Sequence, residues 1–498
     1  MNSLLILPIL IPLVCAILAI LAREHTTIQR WISLFGVTAH LSVGFIIIEQ
    51  VLESGYISLQ VGGWQAPYGI TLIADILAAV MVLFVGISGF SVILYSILSS
   101  QQKDFSPAFH PLVHFLLMGI SGAFLTGDIF NLYVCFEIML MASFALLTLE
   151  GKAEQTEAAV KYVVINLLSS AIFLAGLGLL YAKAGTLNMA DISLISQQAA
   201  ENNEAGPMRL AGLFFTVTFA IKAGMFPFFF WLPASYHTPS VPVSALFAGL
   251  LTKVGVYAMI RLHTLIMPGE VLGEQLLLIL GVATMLIGVL GAASQMHIRR
   301  ILSFHIISQI GYIIVGIAIK TPLALAASLF FIGHNIIAKG NLFLIGGLAS
   351  QTMGTENLHK TGGMWRAWPQ LGIIYLISAL SLAGFPPFSG FVAKFAMVSA
   401  IVESKLWWVM LAAIFTSLLT LYSMIKIWNE VFWKDHPNIH KNLTKNNTTK
   451  RLIPVLLLAF IIIFLGLAGG PLFDICLRAG EQLSNPAGYI ETVFKEAI

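Results

Sequence analysis

The chain has 498 residues, 58% of them hydrophobic and only 10% charged, with a formal net charge of +3. A mean hydropathy of +0.91 excludes a water-soluble globular protein of this length and makes lipid the solvent. The small net charge says nothing about partners.

Apolar runs of roughly the 20 residues that cross a bilayer recur near 3–22, 31–50, 70–98, 108–126, 129–149, 160–182, 208–231, 240–262, 275–296, 301–319, 324–349, 370–398, 406–430 and 451–472. They predict an all-α polytopic membrane protein of about fourteen transmembrane helices, since a helix satisfies its own backbone in hydrocarbon. The first run lacks a basic start and a persuasive cleavage site, and reads as a retained helix. TGDIFN, at 126–131, is long enough only for a tight turn.

Cys15, Cys135 and Cys476 lie in or beside apolar runs without paired spacing, so no disulfide framework, zinc site or iron–sulfur site is implied. Lysines and arginines are twice as frequent in the connections after odd-numbered helices as in the others. By the positive-inside rule both termini face outside, and the polar loop 434–451 is cytoplasmic. The basic cluster of His297, Arg299 and Arg300 reads as interfacial anchoring.

A short motif occurs twice, AGMFPF at 223–228 and AGFPPF at 383–388, each late in a long apolar run. Paired, proline-interrupted membrane helices are what a repeat-built transporter shows at its transport site. Pro227 removes the hydrogen bond due to the Ala223 carbonyl, and Gly224 lets the chain open there. Pro386 and Pro387 do the same to Leu382 and Ala383, next to Gly384.

Five lysines fall inside predicted helices: Lys222, Lys253, Lys339, Lys394 and, nearer an end, Lys426. Each central one costs about 2.5–3.5 kcal/mol to insert, so something must compensate them. Glu137 is the candidate acid, with Tyr133 one turn before it on the same face. Asp75 is a second acid, at the start of the third run. Snorkelling to the headgroups is the reading for Lys426. For Lys222, Lys253 and Glu137, each deep in an apolar run, the reading is a hydrated bundle interior.

Burial favours a neutral amine and a nearby carboxylate favours the ammonium, so the charge state of Glu137 governs whether Lys222 holds its proton. A Lys–Glu pair beside a broken helix is thus a proton-loading element; the bland alternative is a static buried ion pair. Lys253, with Gly249 and Gly255 allowing close packing, then His334, Lys339 and Lys394 continue the line. Asn335 shares a face with Lys339, whereas His334 points about 140° away. There is no phosphate loop, no CxxC pair, no heme or quinone signature, and no soluble part to hold a flavin, so no cofactor and no electron transfer within the chain are expected.

The block KAGMFPFFFWLPASYHTPSVPVSALFAGLLTKVGVYAMIRL, with HNIIAKGNLFLIGG and LAGFPPFSGFVAKF, resembles the antiporter-like subunits shared by respiratory complex I, membrane-bound hydrogenases and Mrp-type multisubunit Na+/H+ antiporters. The resemblance covers essentially the whole chain. Its wording favours the Mrp branch, and the length favours the shorter of that branch's large subunits, the one without a long C-terminal extension.

The resemblance implies two inverted five-helix repeats, each with one broken helix. The divisions are then 1–107 for helices 1–3, 108–262 and 275–430 for the repeats, and 431–498 for a loop, the last helix and a tail. It also implies a proton relay of Glu137, Lys222, Lys253, His334, Lys339 and Lys394. The last of these is a glutamate in some relatives, which leaves the direction of proton release open. The function implied is proton translocation in a heteromeric cation/proton antiporter of the cell membrane, with other membrane subunits as partners, protons and sodium as the ions, and no redox cofactor. Hard-oxygen ligands for sodium are absent beyond Asp75 and loosened carbonyls. The rivals are a proton-pumping subunit of a redox-driven complex and a passive scaffold subunit.

Overall fold

The computed structural model describes residues 2–99, 106–202, 205–267, 273–435 and 448–495. Most of the cytoplasmic loop expected at 434–451 lies outside them.

Helices α1 (Leu7–Leu21) and α2 (Thr26–Ser54) lead into a feature that the apolar pattern did not announce. Strands β1 (Ile57–Gln60) and β2 (Thr71–Ala74) form an antiparallel hairpin with Ile57 opposite Ala74. The run from residue 70, expected as helix, is therefore strand first. Helix α3 (Ile76–Ser99) starts only at Asp75, whose carboxylate accepts the Ala78 N–H at 2.9 Å.

The core then follows in two similar series. The first comprises α4 (Phe109–Leu125), α5 (Ile129–Leu147), α6 (Ala153–Ala184), the short amphipathic α7 (Met189–Glu201), α8 (Gly206–Ala223), α9 (Trp231–Ser235), α10 (Val241–Leu246) and α11 (Thr252–Arg261). π-helical turns at Phe247–Leu251 and Leu262–Ile266 follow α10 and α11, making Val241–Ile266 one continuous rod. The second comprises α12 (Glu274–Ser294), α13 (Ile298–Ile319), α14 (Pro322–Met353), the one-turn α15 (Met364–Ala367), α16 (Pro369–Ala383), α17 (Ser389–Glu403) and α18 (Trp407–Ile427), which ends in a π-helical turn at Trp428–Trp433. Three helices close the chain: α19 (Thr448–Leu467), α20 (Gly469–Ser484) and α21 (Ala487–Lys495), the last two lying where a tail was expected.

The correspondence between the series is close. α6 and α14 are each 32 residues long. α5 and α13 each begin just after an isolated bridge, Asp128 with Asn188 and His297 with Asn357. α8 and α16 each end at an alanine followed by a left-handed glycine, Gly224 (φ 73°) and Gly384 (φ 94°), and there the backbone N–H two residues beyond the alanine reaches back into the last turn. Two repeats, each with a broken helix, are thus built into the fold.

Eleven helices among the described residues are long and apolar enough to cross a membrane, and Phe109–Leu125 and Pro369–Ala383 are shorter apolar helices. Burial sorts the long ones. Val241–Ile266, α13 and α14 are 100%, 94% and 89% buried over their apolar windows, against 33% for the first and last spans. The two repeats therefore share a central wall of α10–α11, α13 and α14, with peripheral helices facing lipid. Glycines allow the tightest contacts: a Cβ at Gly311 would strike the backbone of Met285, and one at Gly288 that of Ser308, fixing α12 against α13.

Candidate functional site

The two breaks position the charged side chains. α8 stops one residue after Lys222. The Ile221 carbonyl is taken by the Trp231 indole at 3.1 Å, and Thr284 of α12 accepts the Phe226 N–H at 3.0 Å. Gly255 of α11 packs directly on the break, since a Cβ there would lie 2.6 Å from Ala223 N and 2.8 Å from the Lys222 carbonyl carbon. This is the close packing expected of that glycine; Gly249, by contrast, makes only ordinary contact with Ile336.

Lys222 is 7% exposed. Its ammonium donates to Ser170 Oγ at 3.4 Å, and Ser170 in turn donates to Glu137 Oε1. The expected Lys–Glu pair is therefore a three-member chain, with a hydroxyl from α6 between the charges. Phe136 offers its ring face to the ammonium at 5.4 Å. Tyr133 sits one turn from Glu137, its ring edge-on to Phe173. Nothing in the sequence around Ser170, LLSSAIF, marks it as a bridge.

Lys253, 2% exposed, donates to the Ala248 carbonyl at 2.7 Å. That carbonyl lies in the first π-helical turn, where the shifted bonding pattern loosens the backbone ladder. Lys339 is fully buried and its ammonium has no hydrogen-bond partner among the described residues. It lies within electrostatic reach of Lys253 on one side and Lys394 on the other. Lys394 donates at 3.0 Å to the Ala383 carbonyl, the acceptor that Pro387 sets free, and sits over the Tyr312 ring at 5.5 Å. His334 lies within electrostatic reach of Lys339 and Lys394; its Nδ1 meets Ser389 Oγ at 2.9 Å, and Ser389 meets Ser381 at 3.1 Å, tying α14 to both halves of the second break. Glu137, Ser170 and Lys222 thus form one chain at the first break, Lys394 sits at the second with His334 beside it, and Lys339 lies within electrostatic reach of Lys253 and Lys394.

Other residues depart from expectation. Arg261 is buried and forms a bidentate pair with Asp75 at 2.6 and 2.7 Å, so both oxygens of that acid are engaged. Lys426 is half-buried and donates at 2.7 Å to the carbonyls of both Ala293 and Gln295 at the end of α12. Arg299 is more than an anchor, binding Glu356, the Pro239 carbonyl and Ser244. A polar recess beside it is lined by Tyr95, Glu150, Lys152, Ser240 and Glu356. Among the described residues, no group of three or more His, Cys, Asp or Glu is placed to hold a metal.

A polytopic helical bundle with two broken helices and a buried lysine line defines a class: membrane proteins that move cations or protons by way of intramembrane charges. Comparison narrows it. The profile described as NADH:quinone oxidoreductase/Mrp antiporter, transmembrane, matches residues 126–420, and the chain belongs to this family. It is 42% identical to the D-type subunit of the Na(+)/H(+) antiporter of Alkalihalophilus pseudofirmus and 39% identical to the same component in Bacillus subtilis, over the whole of each chain. It also superposes on a chain of the Mrp complex from Dietzia sp. with a TM-score of 0.91, at 29% identity and covering 99% of each.

Proposed function

We propose that this chain is the D-type subunit of a multisubunit Na+/H+ antiporter and carries protons along the buried charged line. The observation that carries the reading is Lys339: a fully buried ammonium without a hydrogen-bond partner among the described residues, within electrostatic reach of Lys253 and Lys394. An isolated charge in such a place is costly, and a structural role would have supplied it with an acid. Exchange of a proton with its neighbours through water relieves that cost.

Loading begins at Glu137, where Ser170 lets the carboxylate and Lys222 share a hydrogen-bonded path. Protonating Glu137 removes the charge that holds the proton on Lys222 and favours its passage to Lys253. Lys339 and Lys394 follow, with His334 adjusting the second break through Ser389. The polar recess at Ser240, at the head of α10, is the entry, since the Ser240 and Tyr95 hydroxyls are buried there without partners. Counting each broken element as one crossing and including Phe109–Leu125 gives fourteen crossings. The divisions are then 1–107, 108–262, 275–430 and 431–498, and the bias of basic residues supports both termini outside and 434–451 in the cytoplasm. An odd number of crossings per repeat then makes the repeats inverted.

A cell-membrane assembly with other membrane subunits completes the reading, driven by ion gradients: a charge moving through 100 mV yields about 2.3 kcal/mol. Sodium is assigned to the assembly, because neither oxygen of Asp75 is free to bind it. The test is exchange in everted vesicles carrying the full assembly. Glu137→Gln and Lys222→Ala are expected to assemble fully and lose sodium-dependent proton movement. Normal transport by both variants would overturn the relay, and loss of assembly would favour the scaffold role. Flavin or iron–sulfur absorbance in the purified assembly would favour the redox-driven alternative.

A further inference from the structure

One fully buried titratable group plays no part in the line above. His305 of α13 is 0% exposed, and neither ring nitrogen has a hydrogen-bond partner among the described residues. One turn on, Gln309 is 1% exposed, with both amide atoms likewise unpartnered. Leaving such atoms dry costs about 1–3 kcal/mol each, so these groups require water between them and their neighbours.

Register places His305. α13 and α14 run antiparallel: Gly316 lies against Ser328, Tyr312 stacks on Phe331 at 5.1 Å, and Gly346 lies against Ile298. Between those contacts His305 falls level with Lys339. His305, Gln309 and Tyr312 share one helical face, and the ring of Tyr312 already carries the Lys394 ammonium.

The internal repeat points to the same neighbourhood. Ser170 occupies in α6 the position that Lys339 occupies in α14, counted along two helices of equal length. Glu137 and His305 occupy positions within one residue of each other in α5 and α13, counted from their matching bridges. Ser170 donates to Glu137 in the first repeat, and His305 is the titratable group of α13 nearest the matching position in the second.

Buried polar groups lead outward as well. α18 passes Tyr312 at Ala413 and Ser417 and ends where Lys426 binds the α12–α13 turn. Thr416, Thr420 and Ser423 lie buried along it, and the Thr416 hydroxyl has no partner.

Taking the relay above as given, we propose that His305 is the second repeat's counterpart of Glu137 and passes protons, through water, between Lys339 and Lys426 at the membrane edge. An N–H bond of the Lys339 ammonium breaks as one forms on the imidazole. The proton on the other ring nitrogen leaves toward Lys426, and both lysines exchange charge states with no net chemistry. The titratable and charged groups on the elements packed around His305 are Lys339 and His334 on α14, Lys394 and Glu403 on α17, Tyr422 and Lys426 on α18, and Lys253, Tyr257 and Arg261 on α11, with Arg299, Arg300 and Tyr312 on α13 itself. α12 contributes none between Gln275 and Ser294, and α9 none. Of these, Lys339, Lys394 and Lys426 lie in the electrostatic field of His305.

The experiment uses the whole assembly in everted vesicles, scored for co-purification of its components and for sodium-dependent proton movement from pH 6 to 9. His305→Gln is expected to assemble normally and lose at least tenfold in rate. His305→Glu, which installs the first repeat's acid, is expected to recover most of that rate with a shifted pH profile. Wild-type rates in His305→Gln, or no recovery in His305→Glu, would overturn the proposal. Should His305→Gln fail to assemble, Gln309→Leu decides: several-fold slower exchange supports the hydrated branch, and an unchanged rate removes it. Glu137→Gln run in parallel separates the two readings. If it alone loses transport, only the role of His305 falls; if it transports normally, the relay itself falls.

Discussion

Asp75 and Arg261, 186 residues apart in sequence, are joined by two short hydrogen bonds, Oδ1 to one guanidinium nitrogen at 2.6 Å and Oδ2 to the other at 2.7 Å. Tyr257 accepts from the same arginine at 3.0 Å, and the Tyr489 ring lies 5.4 Å from it. The pair ties the start of α3 to the end of α11 and the C-terminal helix. Its geometry satisfies both charges, which is what a buried ion pair needs to avoid being a liability.

Removing one partner strands the other. Asp75→Asn or Arg261→Met is expected to cost about 3–5 kcal/mol, seen as a lower unfolding temperature of the detergent-purified assembly and lower yield. The double variant Asp75→Leu with Arg261→Met leaves no orphaned charge and is expected to recover much of that loss. A double variant no better than the singles would show that the pair itself, rather than its charge balance, holds the region.

Ser170 offers a finer test of proton loading than either charged residue. Ser170→Ala deletes the hydroxyl between Glu137 and Lys222 without adding volume. We expect exchange to fall about tenfold, somewhat less than when a group that itself carries the proton is removed, with assembly unchanged. Ser170→Thr, which keeps the hydroxyl, is expected to stay within a few-fold of wild type. Equal rates in all three proteins would mean that the two charges communicate by another route.

Much of this was legible in the sequence because lipid makes hydropathy a strict code. The apolar runs located the spanning helices, and AGMFPF and AGFPPF located both breaks, since Pro and left-handed Gly leave the backbone few alternatives. Lysines inside apolar runs could be found for the same energetic reason. What escaped was polar but uncharged, or placed by tertiary contact. Ser170 is one serine among many until α5 folds against it. The hairpin at 57–74 lay hidden because TLIA is equally apolar as strand or helix, and only the pairing with ISLQ decides. α20 and α21 are amphipathic and too polar in part to register as spans. His305 did have a signal, the spacing of His305, Gln309 and Tyr312 on one face, but the neighbouring HIRR cluster drew the reading toward the interface.

Gly390 tests whether the second break must be so tightly closed. A Cβ there would run into the backbone carbonyl of Ser381 and lie 2.9 Å from His334 Cε1. Backbone cannot yield as a flexible side chain can, so Gly390→Ala should destabilise by about 1–3 kcal/mol and displace Ser389 from His334. Gly178→Ala is the matched control, with nothing within 4 Å of the added methyl, and should leave both stability and exchange unaltered. The comparison is of melting temperature and exchange rate in the same preparation. Equal behaviour of the two variants would show that the break has slack that the static contact denies.

His237 provides a pH signature outside the spanning segments. It lies between α9 and α10, with Nδ1 at 2.9 Å from the Pro233 carbonyl and Nε2 accepting from Arg300 at 3.2 Å. Burial first, and the Arg300 charge second, lower its pKa from 6.5 to about 4. Between those two values the unfolded chain binds a proton that the folded chain refuses, so protonation there favours unfolding. The contribution is complete above pH 6.5 and is lost as pH falls through that window to about 4. His237→Gln, which cannot titrate but keeps a side-chain polar group, is expected to flatten the decline in melting temperature between pH 6.5 and 4.5 relative to wild type, while losing little at pH 8. Parallel declines in the two proteins would place the acid sensitivity elsewhere, because no other change is made to the loop.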